Sequence, residues 1–158
     1  MIEIERKFLV SNIDFCLRNH IRSISIDQCY LSFDPARTIR VRKMDKTAFI
    51  TIKGKSNQTG DTRFEWDKEI TENEATQLFN LSLGQNIQKR RYIVPHNSYF
   101  FEVDVFSGPL HGLVIAEIEL STANEQLELP TWIGQEVTGD SRYYNSSLAK
   151  TGLKPQII

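Results

Sequence analysis

From residue 2 to residue 10 the chain reads Ile-Glu-Ile-Glu-Arg-Lys-Phe-Leu-Val. The same exchange of apolar and charged residues returns along most of its length. In an extended chain successive side chains point to opposite faces. Glu3, Glu5 and Lys7 therefore share one face of a strand, with Ile2, Ile4 and Phe8 on the other. This period of two predicts strands at 26–33, 36–43, 48–55, 62–70, 86–94, 99–106 and 113–121, with a short one at 132–137. Asp34-Pro35, the polar stretch 56–61 with Gly60, Asn97-Ser98 and Gly108-Pro109 supply the turns. Such short connections favour antiparallel pairing.

Helical signals are few. Thr71-x-x-Glu74 is a capping box opening a helix to about residue 81. Residues 12–20 form a second helix, and residues 143–151 a third that stops at Gly152. Eight strands and three small helices point to a mainly β (α+β) fold. The expected architecture is an eight-stranded antiparallel closed β-barrel, because closure removes exposed strand edges. At 158 residues the chain fits one domain, 1–158, with a buried core.

The charged faces are sorted by sign. Arg40 and Arg42 lie on one predicted strand, Lys53 on the next, and Lys89 and Arg91 on another. Glu102 with Asp104, and Glu117 with Glu119, occupy two more, while one strand mixes Arg63, Glu65, Asp67 and Glu69. An ordinary half-buried sheet would turn such faces to water, but solvated surfaces intersperse the two signs. Closing the sheet with its charged face inward gives a polar lumen with basic and acidic sectors. Lys7, Arg40, Arg42, Lys53, Lys89 and Arg91 suit a polyanion, since Arg and Lys both bind phosphate oxygens. The carboxylates would repel that polyanion alone. Mg²⁺ or Mn²⁺ between them turns repulsion into an anchor for a metal–phosphate complex, and a small-molecule triphosphate satisfies both sectors.

Composition excludes several alternatives. Nineteen basic against twenty acidic side chains leave a net charge of -1, which argues against nucleic acid or an anionic membrane as partner. The charged opening strand is no signal peptide, and no apolar run has membrane-spanning length. Cys16 and Cys29 have no metal-ligand spacing and read as reduced thiols, so a soluble, cytoplasmic protein is expected. His20, His96 and His111 fall in or beside loops, and no Ser/His/Asp arrangement competes. Gly54-Lys55-Ser56 lacks the upstream glycine of a P-loop and follows a strand.

Glu3-Ile-Glu5-Arg-Lys7 resembles the ExExK signature of the CYTH superfamily, the triphosphate tunnel metalloenzymes. Further segments resemble its short bacterial members in the same order. These are Gln28-x-Tyr30-Leu31, Ile39-Arg40-Val41-Arg42, Thr51-Ile52-Lys53-Gly54 and the run from Arg63 to Ile70, followed by Lys89-Arg90-Arg91-Tyr92, Phe101-Glu102-Val103-Asp104, Ala116-Glu117-Ile118-Glu119, Glu136-Val137-Thr138-Gly139-Asp140 and Arg142-Tyr143. The resemblance runs from residue 1 to about 150. Cys29 stands where a glycine is usual, on the face opposite Gln28 and Tyr30.

The resemblance implies an eight-stranded tunnel that binds triphosphate within it. It implies metal ligands among Glu3, Glu5, Glu65, Glu102, Asp104, Glu117 and Glu119, and phosphate contacts from Lys7, Arg40, Arg42, Lys53, Lys89 and Arg91. Glu3, Glu5 and Lys7 would carry the chemistry, with Glu3 or Glu5 orienting or deprotonating a water. Tyr30 is expected to pack in the barrel, Arg63 to sit at the rim or anchor a loop, and Arg90 to point outward. Asp67 and Glu69 share the face of Glu65 but lie toward the mouth. The expected reaction is metal-dependent hydrolysis of inorganic triphosphate to pyrophosphate and phosphate. Formation of cyclic AMP from ATP, hydrolysis of thiamine or nucleoside triphosphates, and a non-catalytic polyphosphate- or nucleotide-binding module are the alternatives. Three short helices are too few to cover the apolar outer faces, so a homodimer is also expected.

Overall fold

The computed structural model describes residues 1–156; the last two residues of the expected domain, 157 and 158, lie outside the described residues. The elements run β1 (Ile2–Val10), α1 (Ile13–Asn19), β2 (Arg22–Ser32), β3 (Arg37–Met44), β4 (Thr47–Gly54), β5 (Thr62–Ile70), α2 (Glu72–Phe79), β6 (Leu83–His96), β7 (Tyr99–Phe106), β8 (Val114–Glu119), β9 (Ile133–Glu136) and α3 (Asn145–Thr151). The strand order is β5-β4-β3-β2-β6-β7-β8-β1-β9, and a β1–β5 pairing closes β1 to β8 into an eight-stranded antiparallel barrel.

Closure depends on β1 changing partners along one edge. Residues Ile2 to Ile4 pair with β5, and residues Phe8 and Val10 pair with β9. The gap between them is bridged by single bonds, as Glu5 N–H donates to Asp61 O and Val137 N–H to Lys7 O. The opposite edge of β1 pairs with β8 from Glu5 to Leu9. This strand is thus held on both sides along its charged stretch, which fixes where Glu3, Glu5 and Lys7 point.

The outer faces are covered in two patches. Phe8, Val94, Phe101, Val103, Ala116 and Ile118 pack beneath Cys16 of α1 and Trp132. Cys29, Val41 and Ala48 pack beneath Ala75 of α2, so Cys29 does lie on the face away from Gln28 and Tyr30. The capping box of α2 is formed, with Glu74 N–H donating to Thr71 Oγ1 at 3.1 Å and Thr71 N–H to Glu74 Oε2 at 2.8 Å. A third apolar cluster, Tyr30, Ile87, Phe106 and Ile115 with Leu148 and Ala149, fills one end of the barrel beneath α3. Ile2 and Phe64, opposite each other on β1 and β5, stay exposed.

Several boundaries differ from the sequence reading, most of them by one or two residues. β2 begins at Arg22 and β6 runs from Leu83 to His96, because each pairs with the other over almost its whole length and β6 also pairs with β7. Tertiary pairing therefore extends both beyond their alternating cores. α3 starts only at Asn145, after a 3-10 turn at Ser141–Tyr143 capped by the Asp140 side chain. No helix of the described residues is long and apolar enough to cross a membrane.

The β4–β5 loop meets the segment after β9 backbone to backbone at Gly60 and Gly139, both at φ +77°. A Cβ on Gly60 would lie 2.3 Å from Gly139 Cα and 3.0 Å from the Tyr144 hydroxyl. Gly108, at φ +63°, has nothing within 4 Å of its own Cβ position. We expect Gly60→Ala to cost about 3 kcal/mol, from clash and backbone strain together. Gly108→Ala should cost about 1 kcal/mol from the left-handed backbone alone. Denaturant unfolding of the two variants checks this, and equal losses would show that the close approach carries no weight.

Candidate active site

Register decides which charges meet. On the inward face the ladder sets Lys7 opposite Glu117, Glu3 opposite Arg63, Lys53 opposite Glu65 and Arg91 opposite Asp104. These are favourable cross-strand pairs. Two other positions bring like charges together: Glu5 faces Glu119, and Glu102 faces Glu117. Arg40 has Tyr30 and Thr51 for neighbours, and Arg42 has Gln28 and Phe49. The ladder therefore leaves acids facing acids on β1, β8 and β7, and bases with no acid beside them on β3.

Of the metal, phosphate and catalytic residues that the resemblance implies, all but Lys89 and Asp104 line one cavity of about 230 Å³. Its bases are Lys7, Arg40, Arg42, Lys53, Arg63 and Arg91. They are matched one for one by Glu3, Glu5, Glu65, Glu102, Glu117 and Glu119. Lys53 Nζ donates to Glu3 Oε2 at 2.8 Å and lies 3.1 Å from Glu65 Oε2, without hydrogen-bond geometry to the latter. Lys7 Nζ lies 3.1 Å from Glu117 Oε1. Arg91 pairs with Glu102 and grips Asp104 through two bonds of 2.7 and 2.9 Å. Lys89 Nζ donates to the same carboxylate at 2.5 Å. Asp104 and Lys89 are thus buried behind the lining and bound to each other and to Arg91.

Arg40 and Arg42 differ from the other bases. Each carries a buried Nε with no hydrogen-bond partner among the described residues. A buried unmet donor on a cation is costly, and both side chains line the cavity.

The titration behaviour follows from burial and these neighbours. Burial would raise the Glu3 carboxyl, but the Lys53 ammonium overrides it and brings it down to about 2. Burial raises Glu5, and the Glu117 carboxylate raises it further. Burial, reinforced by its hydrogen bond to Glu3, pushes Glu65 up to about 8. Burial also lowers Arg42 to about 10, with Arg40 adding to the effect. For Lys89, burial outweighs Asp104 and brings the ammonium down to about 8. Against burial, Lys7 and Arg91 hold Glu117 well below the usual carboxylate range.

The donor set fits a divalent cation. Glu5, Glu117 and Glu119 are hard oxygen donors on adjacent strands facing one cavity. Glu5 opposes Glu119 on the ladder, and burial followed by the Glu117 carboxylate raises the Glu5 carboxyl. Among the described residues, no three carboxylates are drawn together into a ready-made metal cluster.

Several lining residues escaped the sequence reading. Thr38 and Thr51 share the parity of Arg40 and Lys53, so alternation could have placed them; being uncharged, they drew no attention. Arg63, expected at the rim or in a loop, faces the cavity with Nε 3.5 Å from Glu3 Oε2. Tyr30 both packs in the end cluster and lines the cavity. Tyr144, Asn145 and Ser146 also line it. They come from the start of α3 and carry no strand signal. Arg90 is exposed and donates to Ser23 Oγ, as its parity predicts.

Residues 1–151 match the CYTH domain family. The chain is 40% identical over 153 residues to an inorganic triphosphatase of Acetivibrio thermocellus, covering 96% of each sequence. It is 34% identical over 155 residues to an inorganic triphosphatase of Nitrosomonas europaea, covering 94% of this chain and 97% of the relative. A crystal structure of an inorganic triphosphatase superposes with a TM-score of 0.67 at 31% identity, over 94% of this chain and 97% of the other.

Glu65 gives the cavity a pH signature. Its folded value of about 8 lies above the ordinary 4.5. The stability it contributes is therefore full below about 4.5 and is lost as pH rises toward 8. In chelator, the melting temperature of the protein should fall between pH 5 and pH 8 more steeply than that of Glu65→Gln. Parallel melting curves for the two proteins would show that the Glu65 carboxyl is not held protonated.

Proposed function

The chain belongs to the CYTH domain family, and on that premise we propose that it hydrolyses inorganic triphosphate to pyrophosphate and phosphate with a divalent cation, Mg²⁺ or Mn²⁺. The observation that carries this reading is the pair Arg40 and Arg42, which line the cavity with no acid beside them on the ladder, across the barrel from the glutamates of β8. Charge balance supports it. A polyanion entering alone would meet the carboxyl groups of the lining as well as its bases. A polyanion entering with divalent cations satisfies the free arginines and the opposed carboxylates together.

In this reading Arg40 and Arg42 hold phosphate oxygens directly. Lys7, Lys53, Arg63 and Arg91 exchange part of their carboxylate contacts for the substrate and stabilise charge that moves onto the leaving pyrophosphate. Glu5, Glu117 and Glu119 would hold the cation, with Glu3, Glu65 and Glu102 at the margins. Asp104 keeps Lys89 and Arg91 in place. The cation supplies Lewis-acid neutralisation of the phosphate oxygens and activation of water. Either Glu3 or Glu5 would orient or deprotonate the attacking water. The intact carboxylate set favours turnover over a binding module, which would use the bases alone.

The test is phosphate release from inorganic triphosphate, ATP and thiamine triphosphate, each with Mg²⁺, with Mn²⁺ and with chelator. Fast metal-dependent release from inorganic triphosphate, well above the other two, is expected; comparable or absent release would overturn the reading. Glu5→Gln and Glu119→Gln should each lower turnover by about 100-fold or more with melting temperatures in chelator equal to or above that of the parent protein. Arg40→Ala should weaken triphosphate binding by about tenfold or more in a direct titration, the loss of a charge-assisted hydrogen bond. Unchanged affinity would place Arg40 outside the substrate site.

A further inference from the structure

We propose that Asn145, at the start of the helix that fills the end of the barrel, is a substrate-contacting residue that donates a hydrogen bond from its amide Nδ2 to a phosphate oxygen. This rests on the reading of the cavity as a triphosphate site and adds to it a neutral donor from outside the strands. The Asn145 side chain is buried at 9% exposure and lines the cavity. Its Oδ1 accepts two hydrogen bonds, from Lys89 Nζ at 3.1 Å and from Gln28 Nε2 at 3.0 Å. An ammonium can only donate, so the Asn145 atom facing Lys89 must be the carbonyl oxygen. That contact removes the usual ambiguity between the two ends of an amide. The NH2 group is consequently the end turned away from Lys89, and among the described residues no acceptor takes it.

This arrangement gives the buried Lys89–Asp104 pair a task. Lys89 is absent from the cavity lining, and its ammonium is committed to Asp104 and to Asn145. It acts on the substrate through Asn145, as a positioning residue that holds the amide in one orientation. A neutral donor suits this place. A further cation would meet the positive charge of Lys89 at close range, whereas an amide adds a phosphate contact without adding charge. Because Asn145 belongs to α3, the element that fills the barrel end also reads the anion, and a bound phosphate would tie α3 to the strands.

The experiment compares Asn145→Asp, Asn145→Ala and the parent protein. The affinity for a non-hydrolysable imido-bridged triphosphate analogue is measured calorimetrically with Mg²⁺, at low and high salt. Asn145→Asp keeps oxygen acceptors for Lys89 and Gln28 but loses the donor; Asn145→Ala loses both. We expect each variant to bind the analogue about tenfold or more weakly, with Asn145→Asp melting at or above the parent temperature and its deficit persisting at high salt. Parent-like affinity in Asn145→Asp would mean that the amide only supports Lys89, and would overturn the proposal. So would a loss confined to Asn145→Asp and reversed by salt, which is the mark of through-space repulsion. If the parent protein itself binds no analogue and releases no phosphate, it is the triphosphate reading that fails; the variants speak only to Asn145. Should Asn145→Ala not fold, Asn145→Ser replaces it, with the same expected loss.

Discussion

The inward pairing of opposite charges across neighbouring strands is the interaction on which this structure depends. A barrel of this size must fill its interior, and charged side chains can do so only when desolvation is offset by partners. Cross-strand register supplies those partners for Lys7, Lys53, Arg63 and Arg91. Where register fails to pair opposite signs, at Glu5 with Glu119 and around Arg40 and Arg42, the interior retains unmet demand for a cation and an anion. Structural requirement and candidate chemistry are thus two aspects of one ladder.

The scaffold serves that ladder. β1 is gripped by β8 on one edge and by β5, Asp61, Thr138 and β9 on the other, so its carboxylates cannot turn outward without breaking the closure. The Gly60–Gly139 approach brings the β4–β5 loop against the segment leading to α3. Tyr144, in that segment, offers its ring to Lys7 at 5.5 Å and to Arg63 at 5.9 Å. The two clusters on the outer faces hold the barrel from outside, and α3 completes it at one end. Ion pairs of this kind are not chosen for stability, since apolar side chains of similar volume would fill the space at lower cost. Their retention fits a site that exchanges partners when ligand enters.

Much of this was legible without coordinates, for a reason particular to the chain. Alternation along the segments at 2–10, 62–70 and 99–106 matches the observed strands residue for residue, because charge on one face and apolar residues on the other leave no ambiguity about parity. The same parity places Glu3, Glu5, Lys7, Arg40, Arg42, Lys53 and Glu65 on the inward face, where the cavity lies. Segments with a weaker pattern were misjudged at their ends. β2 and β6 extend beyond their alternating centres because each has the other as a partner, and a partner is not written in the local sequence.

The sequence by itself determined the strands, their inward faces, the sorting of charge by sign and membership in the CYTH domain family, since all of these are functions of residue order and parity alone. Tertiary structure decided which charges meet. A one-residue change of register between β1 and β8 would separate Lys7 from Glu117 without altering either strand's pattern. It also decided that Lys89 and Asp104 lie behind the lining while Tyr144, Asn145 and Ser146 enter it. Those three come from a segment distant in sequence from the strands they complete, and their position is fixed by how α3 packs into the barrel end, a contact that no local periodicity encodes.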